Sequence, residues 1–251
     1  MTQSGAYVYS DGMHSTSIQF NSLPVGTATP RIVGIVSALS TIPALLSDPD
    51  PGCEVVEVRL DRLAASQEEW DLAVRKIESA GYPVIATIRI PEEGGDWAHP
   101  EEERLALFER ALDCSACIDI ELRSALLPTL AERARDGNKA LIISHHDYDR
   151  TPSLDELTAV FERAAAFSNA VVKIAVRVNA AEDVELLASF LEQFSGQSPL
   201  CLIGMGDLGQ PTRLEFPRRG SCLAYGHIDG STAPGQLSCR ELATALRPAG
   251  A

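Results

Sequence analysis

The chemistry of this chain centres on one lysine. Residues Asn169–Val178 form an apolar, β-branched run with Lys173 set in its middle. Only two other lysines exist: Lys76 lies in an acid-rich amphipathic segment, and Lys139 follows the turn residues Asp136, Gly137 and Asn138. Burial of an amine in such a run disfavours its charged form, so its pKa is expected to fall. A neutral amine is a nucleophile, and its natural electrophile is a ketone or aldehyde. The competing reading is a lysine that snorkels to water or pairs with a carboxylate.

Other polar residues interrupt apolar runs in a similar way. Glu57, Arg59 and Asp61 alternate with apolar neighbours and so share one face of a strand. Thr87 and Arg89 do the same, followed by the acidic, glycine-containing stretch Pro91–Asp96, read as a flexible loop. Asp119 and Glu121 are again spaced by two. Simple pairing of these acids with Arg59 and Arg89 is the alternative to a ligand-binding role. At Ser144-His145-His146-Asp147, successive residues face opposite sides, so one imidazole points inward. Imidazole titrates near neutrality and can both remove a proton and return it. Towards the C-terminus, Gly204–Gly209 precedes Arg213, and the lid-like Asp229–Gln236 carries Thr232 and Gln236. Such loops suit a phosphate or a carboxylate.

These residues need a frame that brings them together. Runs dense in Val, Ile, Leu and Ala occur at 31–39, 54–60, 83–90, 117–122, 139–144, 170–178, 199–205 and 221–227. They read as parallel strands buried on both faces. Helical patterns lie between them at 66–80, 100–113, 124–136, 153–167, 180–194 and 238–247, with short segments near 41–46 and 213–216. Ser66 with Glu69 and Ser153 with Glu156 have capping-box spacing. Gly81 and Gly137 read as helix stops. Eight strands alternating with helices predict a (β/α)8 TIM barrel over residues 30–251. Residues 1–29 read as a tail with a short strand near Ser17–Phe20 that closes the barrel bottom. The expected active site is at the C-terminal ends of the strands. A doubly wound open sheet would want a glycine-rich turn after its first strand, and Ser37–Ser40 is not one.

The net charge of −14 argues against nucleic acid and anionic membranes as partners. No apolar run reaches the length of a membrane span, and Met1–Ala6 lacks the basic and apolar parts of a secretory signal. The six cysteines mostly sit singly in apolar runs, as reduced thiols in the cytoplasm do. Cys114 and Cys117 have CxxC spacing without a second pair, a weak signal for zinc or redox chemistry.

The chain resembles type I 3-dehydroquinate dehydratase, from about residue 30 to the C-terminus. The resemblance rests on Glu57-Val-Arg59-Leu-Asp61, Thr87-Ile-Arg89 with Glu92-Glu-Gly-Gly95, Ser144-His-His146-Asp-Tyr148, Val172-Lys173-Ile-Ala-Val176, Met205-Gly-x-x-Gly209-x-x-Thr-Arg213, Gly220-Ser221 and Ala233-Pro-Gly-Gln236. It implies that Lys173 forms an imine with the substrate ketone, that His146 is the general acid and base, and that Glu93 orients His146. It implies further that Glu57, Arg59 and Arg89 hold ring hydroxyls. Arg213 and Gln236 would clamp the carboxylate of an anionic cyclic keto acid, with Thr232 where serine is usual. The family works without metal or organic cofactor and is often a homodimer. Other departures are Thr212, Arg177-Val178, His145, and Tyr225 where phenylalanine is common. Two further enzyme readings share the barrel: a class I aldolase-like enzyme, and a metal-dependent enzyme using His145 or His146 with Glu57, Asp61 and Glu121. A non-catalytic binder on the same fold should have lost Lys173 or His146, and both are present.

Overall fold

The computed structural model describes residues 17–230 and 236–247. The chain enters through a hairpin, β1 (Ser17–Phe20) and β2 (Leu23–Gly26), whose turn places Asn21 in the left-handed region at φ 54°. Eight parallel strands follow: β3 (Arg31–Val36), β4 (Val55–Arg59), β5 (Val84–Thr87), β6 (Cys117–Glu121), β7 (Ala140–Asp147), β8 (Ala170–Arg177), β9 (Leu200–Met205) and β10 (Leu223–His227). Each pairs with the next in sequence up to β9, and β10 pairs with β3. The gap between β9 and β10 is bridged where the Cys222 N–H donates to the Leu200 carbonyl at 2.8 Å. Helices α1 (Thr41–Ser47), α2 (Gln67–Ser79), α3 (Glu101–Cys114), α4 (Leu127–Asp136), α5 (Leu154–Ala165), α6 (Ala181–Phe194), α7 (Thr212–Arg218) and α8 (Cys239–Leu246) occupy the connections. The architecture is the (β/α)8 barrel that the alternation predicts.

The local signals act as their chemistry requires. Ser66 and Ser153 cap α2 and α5 in the expected capping boxes, and Ser238 with Glu241 forms another on α8. The helix stop at residue 137 differs from expectation. Gly137 keeps φ −84°, and Asn138 takes the left-handed position at φ 52°, an alternative that asparagine tolerates. Helix α4 begins at Leu127 rather than Ser124, with Pro128 in its first turn, where a missing N–H removes no helix bond. The strand Leu23–Gly26 escapes a sequence reading because Pro24 breaks its pattern; in a two-stranded hairpin an edge position tolerates that proline.

The barrel interior is organised in layers, and the register defines them. An interior layer takes one inward side chain from every second strand. Val55, Cys117, Val171 and Leu223, from β4, β6, β8 and β10, are all buried and make an apolar layer low in the barrel. Below it, Ile18, Phe20 and Val25 of the hairpin join the same cluster. One inward position further up on the same four strands stand Glu57, Asp119, Lys173 and Tyr225. This layer is polar throughout, yet each member is buried. Replacing Phe20 by alanine is expected to lower stability by about 3–5 kcal/mol, read from the urea midpoint. The kcat of the remaining folded protein should be unchanged, because Phe20 lies beneath the apolar layers.

Candidate active site

Lys173 is held where two carboxylates reach it. Its Nζ lies 2.9 Å from Asp119 Oδ2 and 3.7 Å from Glu57 Oε1, and 4.2 Å above the centre of the Tyr225 ring. The side chain is 6% exposed. Burial by itself pushes the ammonium towards losing its proton, as the sequence suggests. Asp119 and Glu57 outweigh that effect, and the pKa is raised rather than lowered. Lys173 is therefore a cation, and Asp119 is held far below the usual carboxylate range by Arg89 and Lys173 despite its burial.

The arginines tie the acids into one network. Arg89 Nη2 is 2.7 Å from Asp119 Oδ1, and its Nη1 is 3.2 Å from Glu121 Oε1 and donates to Ser144 Oγ at 2.5 Å. Glu121 is met from behind by Arg104 of α3, which is buried and also donates to the Ile88 carbonyl. Thr87 Oγ1 donates to Glu57 Oε1 at 2.9 Å. Arg59 makes a two-pronged pair with Asp61, at 3.0 and 2.7 Å. Each inward acid is thus already committed to a cation or a hydroxyl.

His146 lies within β7, which continues past Ser144 to Asp147. Ser144 pairs in register with Lys173 and His146 with Ala175, so the imidazole stands one inward position above the amine, on the adjacent strand. His145 takes the opposite face. His146 Nδ1 is 3.0 Å from Glu93 Oε2, which also accepts the His146 backbone N–H at 3.2 Å. Burial, then Arg89 and Lys173, hold the imidazole well below its usual range, so it is neutral. Burial raises Glu93 to about 7.

The stretch around Glu93 is not the flexible loop its composition suggests. Pro91–Glu93 form a 3-10 turn, closed where Gly94 N–H meets the Pro91 carbonyl and Gly95 N–H meets the Ile90 carbonyl. Gly94 has φ 77°, and a Cβ at Gly95 would come within 2.0 Å of the Arg89 carbonyl oxygen. Only glycine allows the chain to fold down there, which buries Glu93 against His146 while Glu92 stays exposed.

These groups share a cavity of about 280 Å³ at the C-terminal mouth of the strands. It is lined by Glu57, Arg59, Arg89, Glu93, His146, Lys173 and Tyr225, and also by Arg213 and Gln236. Burial lowers the pKa of Arg213, which has no ion pair among the described residues. Thr232 lies outside the described residues. The geometry gives roles to groups the sequence marked only as inward or motif residues, Asp119 as the nearest partner of Lys173 and Glu121 and Ser144 against Arg89, and it adds Arg104 behind Glu121. Arg104 carried no signal, because an arginine in an acid-rich helix reads as a surface residue. Cys114 and Cys117 separate, the first bonding to carbonyls of α3 and the second in the barrel interior. No helix among the described residues is long and apolar enough to cross a membrane.

Fold and site together define a barrel enzyme with its active site at the C-terminal mouth. Residues 37–251 match the family model for type I 3-dehydroquinase. The chain is 39% identical over 228 residues to 3-dehydroquinate dehydratase of Methanothrix thermoacetophila, covering 89% of this chain and 93% of that one. The crystal structure of 3-dehydroquinate dehydratase from Aquifex aeolicus VF5 matches with a TM-score of 0.77 at 31% identity, over 86% of this chain and 96% of that one. That from Geobacillus kaustophilus HTA426 shares the fold, with a TM-score of 0.83 at 24% identity over 93% and 96% of the two chains. The chain belongs to the type I 3-dehydroquinase family, a family of hydro-lyases.

The Glu93–His146 pair makes a signed prediction for stability against pH. His146, depressed on folding, contributes stability above about pH 6.5 that is lost as pH falls. Glu93, raised on folding, contributes stability at low pH that is lost as pH rises from about 4.5 to its folded value of about 7. The two contributions oppose each other across the overlap, so the wild type should show little slope there from this pair. E93Q should expose stability that falls with acidification, and H146Q stability that falls on going towards neutral pH. Chemical denaturation of the three proteins over that range checks both signs.

Proposed function

We propose that this chain converts 3-dehydroquinate to 3-dehydroshikimate through a Schiff base on Lys173, in the shikimate or quinate pathway. The observation that carries the reading is the buried Lys173 amine beneath a neutral, Glu93-bonded His146 in one small cavity, in a chain of this family. Lys173 rests as an ammonium, so its attack on the C3 ketone begins with loss of a proton, for which neutral His146 is the available base. His146 returns that proton to the carbinolamine hydroxyl, which leaves as water and gives a protonated imine, so the imidazole is neutral again. Asp119 and Glu57, which stand beside the ammonium, face this cation with the same negative charges. The imine draws electrons from the C2–H bond, and His146 takes that proton. The resulting enamine pushes out the C1 hydroxyl, which leaves as water with the proton from His146. Water finally hydrolyses the imine and frees the amine.

The carboxylate of the substrate would meet Arg213, which has no ion pair among the described residues, with Gln236 in the same cavity and Thr232 assigned to the clamp by the resemblance alone, while Glu57, Arg59 and Arg89 line the wall that would meet ring hydroxyls. The same reading makes residues 30–251 one catalytic unit, active without metal or organic cofactor, as a homodimer in the cytoplasm. Its six free thiols suit a reducing compartment.

Borohydride added with 3-dehydroquinate should attach the reduced substrate to Lys173, identified by peptide mass spectrometry, and abolish activity. A folded enzyme that turns over 3-dehydroquinate but yields no adduct would sink the Schiff base. H146A should keep substrate binding and lose about 10³-fold in kcat.

A further inference from the structure

Tyr225 is the one member of the polar layer without a charge. Its side chain is buried, its ring lies under the Lys173 nitrogen at 4.2 Å, and its hydroxyl has no hydrogen-bond partner among the described residues. An unpaired hydroxyl in a dry interior is costly, and phenylalanine would fill the same space without that cost. The hydroxyl therefore calls for a role in a state in which its surroundings change.

Such a state follows from counting donors. The Lys173 ammonium has three N–H groups, enough for both Asp119 and Glu57. The Asp119 bond at 2.9 Å uses one of them, and Glu57 at 3.7 Å is an ion pair that the others face; a protonated imine keeps a single N–H, which stays with Asp119, so Glu57 loses the N–H groups facing it. Arg89 holds the other oxygen of Asp119, Thr87 already donates to the Glu57 oxygen nearest the lysine, and the remaining uncommitted donor in the layer among the described residues is the Tyr225 hydroxyl. We infer that Tyr225 is a positioning residue whose hydroxyl takes over the carboxylate that the lysine nitrogen releases on becoming an imine. This rests on the Schiff-base reading above. Burial, with Glu57 and Asp119 nearby, pushes the phenol far up, so it keeps the proton it would donate. The ring face beneath Lys173 favours a cation in both forms of the nitrogen.

The full chain is compared as wild type, Y225F and Y225M, by steady-state kinetics with 3-dehydroquinate and by the fraction of Lys173 trapped by borohydride during turnover. Y225F should fold with an equal or higher Tm, keep KM, lose about tenfold in kcat as one hydrogen bond to a charged group is removed, and show a smaller trapped fraction. Y225M, which also lacks the hydroxyl, should show the same fall in kcat and serves if Y225F does not fold. Wild-type kcat and trapping in Y225F, or a change in KM alone, would overturn the role of the hydroxyl while leaving the Schiff base intact. Absence of any adduct in the wild type would remove the Schiff base and this inference together.

Discussion

The site depends on a cation kept in a place where cations are expensive. Lys173 sits deep in the barrel, and transfer of an ammonium from water to such a place is unfavourable by itself. Asp119 at 2.9 Å and Glu57 at 3.7 Å reverse that preference. They in turn need partners, since a buried carboxylate with one weakly placed cation would protonate. Arg89 answers for Asp119 and Glu121, and Arg104 answers for Glu121 from the helix layer. The consequence reaches outside the barrel. Helix α3 must sit where its Arg104 can pass between strand and helix, and the Ile88 carbonyl fixes it there. One reactive amine thereby constrains a helix that never touches the cavity.

The charges in this network balance. Lys173, Arg59, Arg89 and Arg104 stand against Glu57, Asp61, Asp119 and Glu121. A balanced buried cluster has no attraction left for an anionic ligand. Arg213 stands outside it, without an ion pair among the described residues, and its pKa is lowered by burial alone. A ligand carboxylate would relieve that desolvation. The cavity thus has a neutralised chemical end and a cationic binding end, which orients an anion before any specific hydrogen bond forms.

The barrel and its principal groups were legible because two periodicities coincide. The β/α rhythm implies parallel strands, and alternation along each strand implies which polar residues face inward. Lys173, Glu57 and Arg89 follow from those two facts, while the choice of His146 over His145 came from the resemblance. The direction of the Lys173 pKa did not follow, because it depends on which acids stand level with the lysine across the barrel. That is set by the stagger between strands, and a sequence read strand by strand does not contain it. Glu93 and Glu92 are adjacent and chemically identical; the resemblance distinguished them, but composition alone suggested a loose loop. Gly94 and Gly95 were read as flexibility, whereas here they allow a tight fold that buries one acid and exposes the other. Arg104 was invisible, since nothing in an acid-rich helix marks the arginine that turns inward.

A lysine stabilised as an ammonium looks poorly suited to nucleophilic attack, yet the arrangement is coherent when its charge states are compared. The ammonium and the protonated imine carry the same charge at the same nitrogen, so Asp119 and Glu57 favour both. The neutral amine between them is the state the site disfavours. On the proposed Schiff-base route, raising the pKa costs rate in the deprotonation of Lys173 and returns it in the stability of the imine, whose positive charge must draw electrons from a neighbouring carbon. A site that lowered the lysine pKa by burial alone would ease the attack and weaken the electron sink. Carboxylates within reach of the nitrogen favour the second requirement, and a neutral imidazole on the next strand supplies the first. With His146 on β7 as the proposed base and the acids on β4 and β6, the two demands are separated in space, so neither group has to serve both.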